Sequence, residues 1–202
     1  DAYQPDKTVS GSFTELLSKL LEPFDLLLTD GADPAVKEGS SAVLMESLRS
    51  SAEHERILRQ RTRRLEEAGY HAQVAVLDGG TNLFHHAPEG RSGIYRDGAG
   101  FRTADGEALA SEAELLAQVE RDPGRFSPNV LLRPVVESSV FPTVAYVAGP
   151  GETSYFAQLT ALFPAFGIEP PMVYPRASLL LLETPMRRLL EKLELEPAQL
   201  TM

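Results

Sequence analysis

One stretch constrains the fold of this chain more than any other. An apolar run, Val144-Ala-Tyr-Val-Ala148, breaks into Gly149-Pro-Gly-Glu152 and reopens as a helical pattern. A continuous apolar run of this length suits a strand covered on both faces, as in a parallel sheet. Glycines let the backbone turn sharply, so the first N–H groups of the next helix point past the strand's carboxyl end. An anionic or carboxylate-bearing ligand is favoured there. The same pattern also serves as a plain strand-to-helix turn, in which Glu152 complements the helix dipole.

The rest of the chain alternates in the same way. Ser12-Phe-Thr-Glu15 has the form of a capping box, with Leu16, Leu17, Leu20 and Leu21 at helical spacing until Pro23. Phe24 to Thr29 reads as a buried strand. Asp33-Pro34 then supplies a cap and a first-turn proline for a long helix reaching about Ala68, with Gly39 and Ser50-Ser51 as weak points. Ala72 to Leu77 reads as a second buried strand. Leu83-Phe-His-His86, Gly93 to Gly98 and Gly100 to Thr103 alternate, and Asp97-Gly98 and Asp105-Gly106 offer turns, which predicts a β-hairpin insertion. Ser111-Glu-Ala-Glu114 caps a helix that ends before Pro123. Ser127-Pro128 starts a short helix through Arg133, and a further helix runs from Glu152 to Phe163. Met172 to Tyr174 and Leu179 to Leu182 read as strands, and Thr184-Pro185 opens a last amphipathic helix.

Strands alternating with helices predict an α/β protein: a Rossmann-like parallel sheet flanked by helices, with a β-hairpin insertion. Residues 1–82 are expected to form a core segment with the long helix, 83–110 the insertion, and 111–202 a second core segment.

Composition narrows the function classes. A formal net charge of −10 argues against a broad nucleic-acid surface, and the arginines between Arg56 and Arg64 are interleaved with glutamates as on a solvated helix face. The chain has no cysteine, hence neither disulfide nor thiol nucleophile, and a reducing, cytoplasmic setting suits it. No apolar run approaches the ~20 residues of a membrane span, and no signal-peptide pattern opens the chain. His85 and His86 are adjacent and on a strand would face opposite sides, so no metal site is expected.

Several polar side chains are candidates for a ligand crevice. Arg133 follows Asn129 by four positions, so a helix starting at Pro128 would place a guanidinium fork and an amide on one face, fit for a carboxylate or phosphate. Gly149, Gly151, Glu152 and Tyr155 belong to the glycine turn and its helix. Arg176 in Tyr174-Pro-Arg-Ala-Ser178 sits where a strand leaves the sheet. Asn82, after Asp78-Gly-Gly-Thr, and Tyr95 in the hairpin are second-rank candidates. Each has a purely structural reading as well: an ion pair, a loop cap or a strand face.

Phe126-Ser-Pro-Asn-Val-Leu-Leu-Arg-Pro134, Gly149-Pro-Gly-Glu-Thr-Ser-Tyr155 and Tyr174-Pro-Arg-Ala-Ser178 resemble the bacillithiol-synthesis cysteine-adding enzyme family (BshC). So do Asp1-Ala-Tyr3, Ser12-Phe13, Leu26-Leu-Leu-Thr-Asp30 and Asp33-Pro34, in order and spacing. The resemblance implies a Rossmann-like core related to nucleotidylyltransferases and a coiled-coil arm used for dimerisation, beginning near Leu193 to Met202. It implies a ligase that joins cysteine to glucosaminyl-malate to give bacillithiol, with ATP or ADP as the nucleotide. The family's Gly-Gln-Gln and Glu-Asp-His-Asp segments do not occur here, so the chain is expected to be the middle of a longer enzyme, with the general acid/base supplied from elsewhere. Two rivals remain open: the nucleotide-binding domain of a nucleotidyltransferase-like enzyme with another acceptor, and a non-catalytic interaction module.

Overall fold

Three helices in this chain begin where an N-cap side-chain oxygen meets the first unpaired N–H groups. In a computed structural model that describes residues 2–197, Thr8 caps α1 (Val9–Leu21), its hydroxyl accepting from Gly11 N at 3.1 Å. Ser12, the expected cap, is buried inside α1. Its N–H already donates to Thr8 O at 3.0 Å, so the earlier hydroxyl takes the capping role. Asp33 caps α2 (Pro34–Arg49) through Ala35 N at 2.8 Å. The long helix divides at Ser50, as the weak point there suggests, and continues as α3 (Ser51–Glu67). Gly39 does not break α2; a Cβ there would meet the methyl groups of Val140 at 3.6 Å, an ordinary contact.

Glycine-punctuated alternation builds the larger sheet. Strands β1 (Gly80–Ala87), β2 (Gly90–Asp97), β3 (Gly100–Thr103), β4 (Ala108–Ser111) and β5 (Phe126–Pro128) pair antiparallel in the order β4-β3-β2-β1-β5. Gly98 (φ 55°) and Gly106 (φ 88°) provide the left-handed turns at the expected places. Along β1, Thr81, Leu83 and His85 point inward. Helix α4 (Glu112–Arg121) opens with the full Ser111–Glu114 capping box. Helix α2 packs against α4, β1 and α5 (Arg133–Val140), around Leu44, Leu48, Leu83, Leu115, Phe126 and Leu132.

The parallel expectation holds for a smaller unit. Strands β6 (Ala145–Ala148) and β7 (Met172–Pro175) pair parallel, connected by α6 (Pro150–Leu159). Phe156, Leu159 and Phe163 carry this unit into the common core. The fold is therefore α/β with a sheet flanked by helices, but its five-stranded sheet is antiparallel: β1 to β4 are joined by tight turns, which reverse direction, and β5 returns beside β1 after α4.

Three expected strands do not form. Phe24–Thr29 is not a strand and Leu27 is 98% exposed; Leu179–Leu182 is not a strand and Leu181 is 89% exposed. An apolar run becomes a strand only when neighbours supply its ladder, and among the described residues neither run has one. In Ala72–Leu77 the ladder is replaced by one side chain. Buried Gln158 of α6 accepts from Val74 N and donates to Val74 O, both at 2.9 Å, and reaches Thr62 Oγ1 at 3.2 Å. The predicted helix from Pro128 to Arg133 is likewise displaced. Pro128 ends edge strand β5, where its missing N–H does no harm, and α5 begins only at Arg133.

The last helix, α7, spans Thr184–Lys192 as its Thr-Pro start suggests. The expected start of the coiled-coil arm runs to Met202, and its residues 198–202 lie outside the described residues, as does Asp1 of the opening segment. Among the described residues no helix is long and apolar enough to cross a membrane.

Candidate functional site

The carboxyl ends of β6 and β7 and the start of α6 bring five of the candidate side chains or turns into one network. Arg176 follows β7 directly and its backbone N–H donates to Ala148 O at 2.7 Å, which locks the two strand ends together. Its guanidinium lies over Gly149. A Cβ on Gly149 would meet Arg176 Nη2 at 2.6 Å and Cζ at 3.3 Å, so a side chain here would displace the guanidinium, while the dihedrals (φ −71°, ψ 172°) are open to any residue.

Glu152, in the first turn of α6, accepts from Gly149 N through Oε2 at 2.8 Å. Its Oε1 accepts from the Tyr146 hydroxyl at 3.2 Å, and Arg176 Nη1 stands 3.7 Å from Oε2. The Gly149 N–H, then Tyr146 and the nearby arginines, hold the Glu152 carboxyl below its ordinary range. The Tyr146 ring packs at a tilt against Phe156, with centroids 4.6 Å apart, and its burial pushes the hydroxyl's proton affinity up. Tyr155, buried on α6, offers its hydroxyl to Arg133 Nη2 at 3.4 Å.

Arg133 occupies the first position of α5, where the helix dipole disfavours a cation. With five donors in a fixed fork and one long contact to Tyr155, its guanidinium keeps capacity for an anion. It faces a cavity of about 350 Å³ between α2, β5 and α5 that Lys37, Ser40, Ser127 and Glu137 also line. Lys37 Nζ donates to Phe126 O at 2.7 Å, and His86 Nε2 lies 2.8 Å from Ser127 Oγ. Burial, then the charges of Lys37 and Arg91, lower the His86 pKa and favour the neutral ring.

Three other candidates lie elsewhere. Asn82, Tyr95 and Asn129 line a separate cleft of about 340 Å³ beside β1 and β2. Asn129 is not on a helix face with Arg133. Its Oδ1 accepts from Leu131 N and Leu132 N at 3.0 and 3.1 Å, and its Nδ2 donates to Asn82 Oδ1 at 3.0 Å. The two amides are thus engaged in fixing the turn into α5, with Asn82 in the left-handed region (φ 62°). Tyr95 lies beneath Arg102, 5.2 Å from its guanidinium carbon. Gly151 has open space where a Cβ would project.

Sequence reasoning passed over Tyr146, Glu137, Lys37 and Ser127. Glu137 follows Arg133 by four residues, a spacing that shares a helix face once α5 is placed correctly. Ser127 was expected to cap a helix, but as a strand residue its hydroxyl meets His86 instead. His85 is buried against Phe126, at 5.4 Å, on the opposite face. Among the described residues no group of three or more His, Asp or Glu side chains is placed to hold a metal ion.

Comparison with known proteins agrees with this architecture. The family model described as "Bacillithiol biosynthesis BshC, N-terminal Rossmann-like domain" matches residues 1–177. A protein of Koribacter versatilis named "Putative cysteine ligase BshC" is 35% identical over 196 residues, covering 97% of this chain and 36% of its own length. Proteins of the same name from Salinibacter ruber and Natranaerobius thermophilus are 35% identical over 192 residues and 33% identical over 194. These matches cover 95% and 96% of this chain but only 35% and 36% of those relatives, so the chain spans about a third of their length. The match to residues 1–177 and the relatives' identity along nearly the whole chain agree, and the chain belongs to the BshC family of bacillithiol biosynthesis.

Proposed function

We propose that this chain is part of a ligase that adds cysteine to glucosaminyl-malate to form bacillithiol. The observation that carries the reading is the Arg133–Tyr155 and Arg176–Glu152 network at the carboxyl ends of β6 and β7, in a chain of this family. In α/β folds, ligands sit in that position. Joining a carboxylate to an amine releases the elements of water, so the carboxylate oxygen must first become a leaving group. A phosphate or nucleotide from ATP is the proposed activator. Arg133, Arg176 and the first-turn N–H groups beyond Gly149 offer donors for the charge that this step carries. Gly151 leaves room for a ligand to approach that turn, while Asn82, Asn129 and Tyr95 shape the separate cleft beside β1 and β2.

The test uses the full-length parent protein with cysteine, glucosaminyl-malate and ATP, and mass spectrometry for bacillithiol. Arg133→Ala is expected to lower kcat/KM by about 10- to 100-fold, the range for a lost hydrogen bond to a charged group. Absence of product with every nucleotide tried would overturn the ligase reading. ATP binding that ignores glucosaminyl-malate would point instead to a nucleotidyltransferase-like enzyme with another acceptor.

A further inference from the structure

Glu137 has no part in the network above, yet it occupies an unusual position. It lines the cavity between α2, β5 and α5, and its Oε2 is a buried acceptor that no donor reaches among the described residues. A stranded acceptor of this kind is disfavoured in a folded protein unless something else supplies the donor. Burial accordingly raises the Glu137 pKa, with Arg133 opposing the shift and Glu152 adding to it.

The surroundings say what that donor should be. Arg133 shares a face of α5 with Glu137, but no ion pair joins them among the described residues. Lys37 lines the same cavity with one donor engaged by Phe126 O and two more in its ammonium group. Val136 and Phe141 complete an apolar wall. The pocket therefore presents two cations, one carboxylate and a small apolar surface in about 350 Å³, the low end for small-molecule sites.

We propose that the pocket between α2, β5 and α5 takes the head group of a small α-amino acid, with Glu137 receiving its ammonium and Arg133 and Lys37 its carboxylate. The apolar wall faces the amino acid's side chain. Naming cysteine as that amino acid rests on the ligase reading, in which its ammonium stays intact while its carboxylate reacts. Glucosaminyl-malate also carries an amine and carboxylates, but its sugar makes it the poorer fit to so small a space.

Calorimetric titration of the full-length protein distinguishes the cases, with L-cysteine and 3-mercaptopropionate, which lacks the amine, as probes. Wild type is expected to bind L-cysteine about tenfold or more tightly than 3-mercaptopropionate. Glu137→Gln should abolish that difference by weakening L-cysteine while 3-mercaptopropionate binds no less tightly than to wild type, with a melting curve checking that the variant is folded. Unchanged cysteine affinity in Glu137→Gln, equal losses for both probes, or no cysteine binding to wild type would each overturn the assignment. Bacillithiol formation alongside an unchanged cysteine affinity in Glu137→Gln would leave the ligase standing and the pocket refuted. Glu137-dependent cysteine binding without any product would do the reverse.

Discussion

Gly149→Ala separates the demands of the fold from those of the site. The backbone at Gly149 (φ −71°, ψ 172°) is open to alanine, so no dihedral strain is added. Losing glycine at an N-cap costs about 0.5–1 kcal/mol, and the stiffer unfolded chain offsets about 0.4–1 kcal/mol. The melting temperature should therefore move by no more than ~2–4 °C. The new methyl would stand 2.6 Å from Arg176 Nη2, well inside contact distance, and the exposed end of Arg176 is the part able to yield. The guanidinium must shift by about 1 Å, a displacement that lowers turnover up to ~100-fold when it moves a substrate-positioning group. In the bacillithiol assay with full-length enzyme, Gly149→Ala should lose about 10- to 100-fold in kcat/KM, as much as Arg176→Ala, and the double variant no more than either. Full activity in Gly149→Ala, or losses that add in the double variant, would refute the idea that glycine is there to seat Arg176.

Three further outcomes follow from buried and half-buried polar groups. Gln158→Leu removes hydrogen bonds to Val74 N, Val74 O and Thr62 Oγ1 and should destabilise by about 2–4 kcal/mol in urea unfolding; unchanged amide exchange at Val74 would contradict this. Glu152 has a depressed pKa, so its contribution to stability is present above the ordinary value of 4.5 and lost as pH falls through the folded value; Glu152→Gln should flatten the acid limb of a melting-temperature profile. Glu137 has a raised pKa, so the folded state holds its proton longer and loses stability as pH rises from 4.5 through the folded value. Glu137→Gln should melt above wild type at neutral pH, with the gap closing in acid, and a lower melting temperature at pH 7 would count against the buried carboxylate.

Much of the local structure was legible because it rests on short-range chemistry. Asp33-Pro34, the Ser111–Glu114 box, the Gly149 turn and the Asp-Gly turns each specify their own few residues, and each appears where the sequence places it. Pairing was harder to read. The apolar runs at 24–29, 72–77 and 179–182 show only that burial would be favourable, not whether a neighbouring strand exists. For Val74 the partner is a glutamine side chain 84 positions away. The site was partly legible for the same reason. Arg176 and the Gly149–Glu152 turn each follow a strand and meet because β6 and β7 pair, whereas Glu137 and Lys37 enter only once α5 and α2 are packed together.

Departures from local rules are informative when they collect in one place, since sequences are consistent with their folds elsewhere. The ends of α2, α3 and α4 follow the dipole preference, with Arg49, Arg64 and Arg121 in their last turns. Arg133 reverses it by placing a cation at the first position of α5. One turn later Glu137 buries a carboxylate oxygen without a donor, and on the next helix Gly149 forgoes a side chain beneath a guanidinium. Arg133 acts electrostatically on both Glu137 and Glu152, and Glu152 in turn accepts from Gly149 N, so the three exceptions are linked through Glu152. Packing alone would have favoured an acid at 133, an apolar residue at 137 and a capping serine at 149. The ligand proposed for the cavity between α2, β5 and α5, with a carboxylate for Arg133 and an ammonium for Glu137, would account for the first two, and the seating of Arg176 for the third.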